Sequence, residues 1–162
     1  MLQKRIDDQP SISPEMVREA QDILHQHLKS VGLKQTAQRD TILRTFLETR
    51  EHLSIEELHR LVKKKDPKIG HTTVYRTLKL LCEAGLAHEH NFDGTTRYEI
   101  AHQHHDHLVC IRCGKIIEFE CEMIEKAQEQ IAERYQFRVL RHRHELYGHC
   151  GKCQAEAARR GA

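Results

Sequence analysis

Apolar residues recur at the three- and four-residue spacing of amphipathic helices in four stretches of the first hundred positions. The first stretch begins at Ser13, a cap followed by proline, and ends near Gly32. The second begins near Thr36, and the third begins with Ser54 and Glu57, which have the spacing of a capping box. The fourth, "HTTVYRTLKLLCEAG", follows the helix-breaking run "KKKDPKIG". These patterns predict a small helical domain with a shared apolar core.

A change to strand-forming residues follows the fourth helix. The run "LAHEHNFDGTTRYEI" has Asp93-Gly94 at its centre, which suits a tight hairpin turn. Helices followed by a two-stranded wing predict a winged helix-turn-helix domain over residues 1–100, with the first helix as an amino-terminal extension. In such a domain the fourth helix enters the major groove of DNA and presents Tyr75 and Arg76 to base edges. The alternative is that these two side chains merely cover a helix surface.

Composition and charge narrow the class of protein. The chain has 162 residues, is 38% hydrophobic and 31% charged, and carries a formal net charge of +2. It shows no apolar run near the roughly 18 residues of a membrane span, and its first residues lack the apolar region of a secretory signal. We therefore expect a cytoplasmic protein, in which six cysteines favour metal or redox chemistry over disulfides. Between Arg60 and Lys79, seven basic residues accompany one acidic residue, which fits a solvated helix end or a DNA-binding surface.

Two C-x2-C motifs carry the clearest chemical signal in the second half of the chain. They pair Cys110 with Cys113 and Cys150 with Cys153. Four thiolates so arranged, with a glycine beside each pair, suit tetrahedral Zn²⁺, and two redox-active dithiols are the alternative. The 36 residues between the motifs hold a predicted helix, "EMIEKAQEQIAERY". Cys82 and Cys121 lack this spacing, so we expect plain thiols there.

A histidine-rich run, "HQHHDHLVCIRCGKIIEFE", leads into the first motif. We interpret its start as a strand, along which successive side chains point to opposite faces. His105 and His107 then share one face, whereas His104 and Asp106 share the other. One run would therefore supply two histidine–carboxylate sites besides the zinc site, which makes three metal sites in all.

Each of these two faces needs further ligands. The returning strand of a hairpin, "GKIIEFE", offers Glu118, and the first turn of the intervening helix offers Glu125. The final predicted strand, "FRVLRHRHELYG", offers His142 and His144, and spacing alone does not decide between them. Together these elements predict an α+β protein whose second domain, residues 101–162, is a small α/β unit with a three-stranded antiparallel sheet.

The histidine run also contains H-x-H-x-D-H, from His102 to His107, which resembles the zinc motif of the metallo-β-lactamase hydrolases. Those enzymes need a larger layered sheet with further ligands well downstream. Only 55 residues follow His107, and the two C-x2-C motifs lie among them. We therefore expect that the protein is not an enzyme, and keep a zinc metallohydrolase as a distant alternative.

Six motifs between Gly32 and Cys153 occur in the order typical of one family. They are "GLKQTAQR", "HLSIEEL", "TTVYRTLKLL", "HNFDG", "HHDHLVCIRCGKIIEFE" and "LYGHCGKC". By these motifs the chain resembles the ferric uptake regulator (Fur) family of metal-sensing repressors. The resemblance implies a homodimer in which each chain has an amino-terminal winged-helix domain and a carboxy-terminal α/β dimerisation domain. The sequence does not decide between this dimer and a tetramer. It also implies binding to double-stranded DNA at palindromic operators that control iron-uptake and iron-homeostasis genes.

The resemblance further implies sets of ligands, position by position. A structural Zn²⁺ site is implied at Cys110, Cys113, Cys150 and Cys153. A regulatory site between the two domains is implied at His52, Glu99, His105, His107 and Glu118, and an additional metal site at His104, Asp106, Glu125 and His142. DNA-binding positions are implied at Lys34, Thr73, Tyr75 and Arg76.

The donor types and the family's subtypes bear on the regulatory metal. Nitrogen and oxygen donors without a thiolate suit Fe(II), Mn(II), Co(II) or Zn(II). Zinc-sensing relatives tend to use a cysteine in this site, and peroxide-sensing relatives carry aspartates where Glu99 and Glu118 stand. The two glutamates, with Tyr75 and Arg76, therefore favour Fe²⁺ as corepressor, with Mn²⁺, Co²⁺ or Zn²⁺ as substitutes. A peroxide-sensing member, or one that responds to manganese, zinc or haem, is the alternative.

Overall fold

The computed structural model describes residues 12–49, 52–92, 94–101 and 105–160, and these fall into two compact units, residues 12–101 and 105–160. The first unit contains α1 (Pro14–Ser30), α2 (Ala37–Thr49), α3 (Ile55–Lys65), α4 (His71–Glu83), β1 (Ala87–Phe92) and β2 (Thr95–Ile100). The second unit contains β3 (Asp106–Cys110), β4 (Ile116–Phe119), α5 (Glu122–Arg134), β5 (Glu145–Gly148) and α6 (Gly151–Arg160). The fold is α+β, as predicted. None of the described helices is long and apolar enough to cross a membrane.

The four predicted helices of the first unit form, and hydrogen bonds from side chains mark where two of them begin. The Ser13 hydroxyl accepts a hydrogen bond from the Met16 amide at 3.2 Å. At α3 the capping box is complete, because the Ser54 hydroxyl accepts from the Glu57 amide at 3.2 Å and the Glu57 carboxylate accepts from the Ser54 amide at 2.8 Å. Each bond satisfies an amide that the start of a helix leaves without an intrahelical partner.

The core of the first unit lies where the apolar sides of α1 to α4 meet. Side chains that are almost fully buried come from every helix and from β2: Leu24, Leu28, Ile42, Leu43, Phe46, Leu58, Val62, Val74, Leu78, Leu81 and Tyr98. Burial of one apolar side chain of this size stabilises a fold by roughly 1.5–3 kcal/mol. This core fixes α4 and the β1–β2 hairpin relative to each other.

β1 and β2 form the predicted wing. They pair antiparallel, with Phe92 opposite Thr95 next to the turn. Gly94 in the turn has a φ of +80°, a conformation that glycine adopts without steric cost. Its amide donates to the Asn91 side chain at 2.9 Å. Asp93, the other predicted turn residue, lies outside the described residues.

The second unit has a three-stranded sheet in the order β4-β3-β5. β3 pairs antiparallel with β4 and parallel with β5, so the sheet is mixed rather than wholly antiparallel as predicted. β5 runs opposite to β4 and therefore in the direction of β3, and the connection through α5 places it beside β3 rather than beside β4, which makes the pairing parallel. β5 is also shorter than the predicted strand, since residues 137–144 form no strand, and α6 is an element that the sequence patterns do not predict.

The second unit buries few apolar side chains. Among its described residues the buried apolar and thiol side chains are Val109, Cys110, Cys121 and Cys153, and α5 has no buried residue. Ala127 and Ile131 share the apolar side of the predicted helix, yet both are exposed. The stability of this unit therefore needs a source besides its own apolar core.

Candidate metal centres

Four thiols meet at the end of β3. Cys110 ends this strand, Cys113 lies in the turn that follows, and Cys150 and Cys153 lie at the start of α6. The four Sγ atoms lie within 4.8 Å of one another, and those of Cys113 and Cys150 are 3.7 Å apart. Sulfur atoms at about 2.3 Å from a tetrahedral Zn²⁺ are separated by about 3.8 Å. These four residues, the zinc cluster, thus have the donor type and the spacing that this ion needs.

Backbone amides prepare two of these thiols for metal binding. Hydrogen bonds from the backbone, first that of Cys150 and then that of Cys113, lower the pKa of the Cys110 thiol to about 5. The amide of Cys153 likewise lowers the pKa of Cys150. Burial, by contrast, raises the pKa of Cys153 to about 12. Thiolate is the form that binds metal, and a divalent cation deprotonates a coordinating thiol outright, so Zn²⁺ would complete the set of four thiolates.

A second cluster in the same unit joins β3 to α5. Asp106, Glu125 and His142 place their ligand atoms within 4.8 Å of one another, and the His142 Nε2 atom is 3.4 Å from the Glu125 carboxylate. Asp106 is buried, and a buried carboxylate needs a cation or hydrogen-bond donors close to it. His144 is not in this group of described residues. His104, the remaining predicted ligand, lies outside the residues that the structure describes.

The histidines that alternate with Asp106 belong to the predicted regulatory site. His105 and His107 are buried, and their ring centroids are 4.7 Å apart. Glu118 on β4 is the residue that pairs with His107 across the sheet. Side chains of directly paired residues lie on the same face. The three ligands predicted for this unit are therefore neighbours.

The two ligands predicted for the first unit contact each other. The His52 Nε2 atom is 2.5 Å from the Glu99 carboxylate, and the two side chains are only 8% and 4% exposed. Two more histidines, His88 and His90, surround the same carboxylate, and the His90 Nε2 atom is 2.7 Å from it. The sequence-based prediction does not include them. The pattern His-x-His along a strand is the signal that could have identified both, since it places two rings on one face.

The predicted DNA-binding residues lie on α4 and on the segment before α2. Tyr75 is 44% exposed, and Arg76 beside it is also exposed. Thr73 is half-buried in the first turn of α4, and Lys34 is exposed between α1 and α2. Cationic and hydroxyl side chains of this kind contact phosphates and base edges in protein–DNA complexes. The first unit thus offers a polar surface around the exposed side of α4.

A winged helix, a small mixed sheet, and separate clusters of thiol and histidine–carboxylate ligands define a class of protein, the metal-binding winged-helix transcription regulators. Within this class the chain belongs to the ferric uptake regulator family, whose sequence model matches residues 30–147. Members of the family are transcription regulators and not enzymes. The start of the hydrolase-like H-x-H-x-D-H run, residues 102–104, lies outside the described residues.

Individual relatives show how far the similarity extends. The ferric uptake regulation protein of Campylobacter jejuni is 40% identical over 146 residues, which are 85% of this chain and 93% of that protein. The ferric uptake regulator of Helicobacter pylori, whose structure reveals three functional metal-binding sites, is 30% identical with a TM-score of 0.80, over 94% of this chain and 97% of that one. A zinc-bound manganese uptake regulator is 42% identical with a TM-score of 0.63, over 79% of this chain and 98% of that one.

Proposed function

We propose that the protein is a cytoplasmic, metal-dependent transcriptional repressor with Fe²⁺ as corepressor, which controls iron-uptake and iron-homeostasis genes. The observation that carries the proposal is a buried histidine–carboxylate ligand set, without thiolate, in a member of the ferric uptake regulator family. Nitrogen and oxygen donors suit Fe²⁺ and also accept Mn²⁺, Co²⁺ or Zn²⁺.

The regulatory ion is assigned to His52 and Glu99 of the first unit and to His105, His107 and Glu118 of the second. Within each unit these residues are neighbours, which supports the assignment. An ion that needs ligands from both units favours one relative orientation of the two and shifts the population toward it. A shift from 1:99 to 99:1 requires about 5.5 kcal/mol of differential binding.

Two further ions are assigned to the second unit. Zn²⁺ in the zinc cluster is structural, because it joins the end of β3 to the start of α6 in a unit with little apolar core. A second ion binds to His104, Asp106, Glu125 and His142, and the contacts among the last three support this assignment. Both sites lie in the unit that we propose to form the dimer.

DNA binding is assigned to α4 and its surroundings. α4 enters the major groove, where Tyr75 and Arg76 contact bases and Thr73 lies close to them. Lys34, before α2, reaches the minor groove. Exposure of Tyr75, Arg76 and Lys34 supports this role. Because a two-fold dimer presents two copies of α4, the target is a palindromic operator.

The dimer is assigned to the second unit. Many of its large apolar side chains are exposed in the single chain: Leu108, Met123, Ile131, Tyr135, Phe137, Val139, Leu140, Leu146 and Tyr147. Exposed apolar surface of this extent marks a protein–protein interface. A second copy of the chain, seated on this face, supplies the missing core.

The central test measures whether iron controls DNA binding. Zinc-replete protein is titrated anaerobically into a fluorescently labelled palindromic duplex, with and without Fe²⁺, and anisotropy is recorded. We expect Fe²⁺ to tighten binding by about 5- to 150-fold, the usual range of allosteric coupling, and chelation to reverse it.

His52→Ala should lose this difference while keeping its zinc and its dimer. His25→Ala, which removes an exposed histidine of α1, is the matched control. A normal iron response in His52→Ala would refute the regulatory assignment.

A manganese sensor is the second candidate, favoured by the 42% identity to a manganese uptake regulator. The same titration with Mn²⁺ separates the two. Tighter DNA binding with Mn²⁺ than with Fe²⁺, at equal free metal concentration, would assign manganese as the corepressor.

A further inference from the structure

We propose that the wing carries a metal site of its own, formed by His88 and His90 of β1 and Glu99 of β2. These three residues are the wing triad. The site lies entirely in the first unit and shares only Glu99 with the regulatory set. It therefore stands whether or not the protein responds to iron.

The hairpin register brings the wing triad together. His88 and His90 are two positions apart on β1, so their side chains project from the same face. Glu99 is the direct partner of His88 on β2, and it is diagonal to His90, which pairs with Arg97. Direct and diagonal partners on one face are within reach of long side chains. The backbone of the wing thus fixes the convergence of the three donors.

The distances are close to those of a coordination sphere. The Glu99 Oε1 atom lies 2.7 Å from His90 Nε2 and 3.8 Å from His88 Nδ1. The three residues offer ligand atoms that all lie within 4.8 Å of one another. Donors at about 2.0–2.1 Å from a tetrahedral ion are separated by about 3.4 Å. Side-chain rotations that move these atoms by about 1 Å therefore suffice to enclose an ion.

The two oxygens of Glu99 face different imidazoles. Oε2 lies 2.5 Å from His52, and Oε1 lies 2.7 Å from His90. The carboxylate is 4% exposed, and a buried carboxylate needs positive charge close to it. One oxygen can therefore serve the proposed regulatory ion with His52 while the other serves the wing triad. His88 is 53% exposed and gives an ion a route from solvent.

Two imidazoles and one carboxylate suit a divalent transition metal. This donor set leaves positions open for water and accepts Fe²⁺, Co²⁺ or Zn²⁺. The opposite face of β1 is already tied to the recognition helix, because Lys79 of α4 contacts the Glu89 carboxylate at 2.6 Å. An ion in the wing triad would thus join β1 to β2 on the face away from this contact. The competing interpretation is an ion pair between Glu99 and the two histidines that contact it, His52 and His90, with no metal.

Cobalt provides the test, because bound Co²⁺ absorbs visible light and can be counted. The experiment uses zinc-replete, full-length protein with His107→Ala and His142→Ala, which remove ligands from the two other proposed histidine–carboxylate sites. Circular dichroism checks that the fold is kept. We expect this background variant to bind one Co²⁺ per chain in equilibrium dialysis. Adding His88→Ala should weaken that binding at least about tenfold, since losing even a residue that only orients a metal ligand costs 10- to 100-fold.

Two further variants make the result specific. His25→Ala in the same background should leave Co²⁺ binding unchanged, and His88→Asp, which restores a ligand, should recover binding with a shifted absorption spectrum. A background variant that binds no Co²⁺, or equal affinities after His88→Ala and His25→Ala, would overturn the proposal and leave only the ion pair. Neither outcome bears on the iron titration of the wild-type protein, so the two proposals fail separately.

Discussion

The thiol of Cys82 is less acidic than the Cys110 and Cys150 thiols of the zinc cluster, because its surroundings differ. It is half-buried near the end of α4, and burial, with a smaller effect of Glu89, raises the pKa of its thiol from 9.0 to about 11. Thiolate is the reactive form, so Cys82 should resist alkylation by iodoacetamide at about pH 7.5 and still react slowly near pH 9. Timed alkylation followed by peptide mass spectrometry measures this. Rapid labelling of Cys82 in the folded protein would contradict the expectation.

The same shift predicts how Cys82 affects stability. A folded-state pKa above the unfolded value means that the folded protein favours the protonated thiol. Its contribution is therefore present below pH 9.0 and is lost as the pH rises toward 11. In Cys82→Ser, which has no titrating thiol, the alkaline loss of stability should be smaller. Urea denaturation of both proteins between about pH 8 and pH 11 measures this difference.

For the alkylation experiment, the rate at which iodoacetamide labels Cys82 in guanidinium-unfolded protein is the reference for an unprotected thiol.

Among the contacts between secondary-structure elements, those of Arg97 join the wing to the helices of the first unit. Arg97 of β2 donates through one nitrogen to the His52 carbonyl at 2.9 Å and to the Glu57 carboxylate at 2.7 Å. Arg97→Ala leaves both acceptors without this donor, so we expect the free energy of unfolding to fall by about 1–3 kcal/mol. It should also loosen His52 and weaken Co²⁺ binding at the proposed regulatory site. Urea denaturation and metal titration of the zinc-replete variant measure the two effects.

A double-mutant cycle separates the role of Arg97 from that of the capping box. Glu57 also accepts from the Ser54 amide, so Glu57→Gln changes both contacts, whereas Ser54→Ala changes only the cap. We expect Arg97→Ala and Glu57→Gln to be non-additive, and Arg97→Ala and Ser54→Ala to be closer to additive. Full additivity of the first pair would show that the Arg97–Glu57 contact contributes nothing to stability.

The elements that could be predicted from the sequence are those that local signals fix. Ser13, Ser54 and the apolar spacing identify helices because a helix is made of contacts three and four residues apart. The parallel pairing of β5 with β3 joins residues far apart in the chain, and four-residue β5 carries no strong local pattern. His88 and His90 were missed for a similar reason, because the carboxylate that they surround lies on the other strand of the wing.

The assembly of two chains can be tested at the scale of the whole molecule. Leu140 is 83% exposed in the second unit, on the surface that we assign to the second copy. Leu140→Glu would bury an unpaired charge in the interface, so the dimer dissociation constant should rise by at least about tenfold, a cost of 1.4 kcal/mol or more. Sedimentation velocity over a range of protein concentrations measures this. Met16→Glu, at an exposed position on α1, is the matched control, and equal dissociation constants for the two variants would place the interface elsewhere.

α5 has no buried residue in the single chain, and this links the response of the protein to its concentration in the cell. This helix supplies Glu125 to the proposed additional metal site, and we assign its apolar cover to a second chain. Association and ion binding are then thermodynamically linked, since each stabilises the arrangement that the other needs. If a second chain covers α5 as we propose, single chains at a low copy number would bind the ion more weakly than dimers. The response would then depend on how many regulator molecules the cell holds as well as on how much metal it contains.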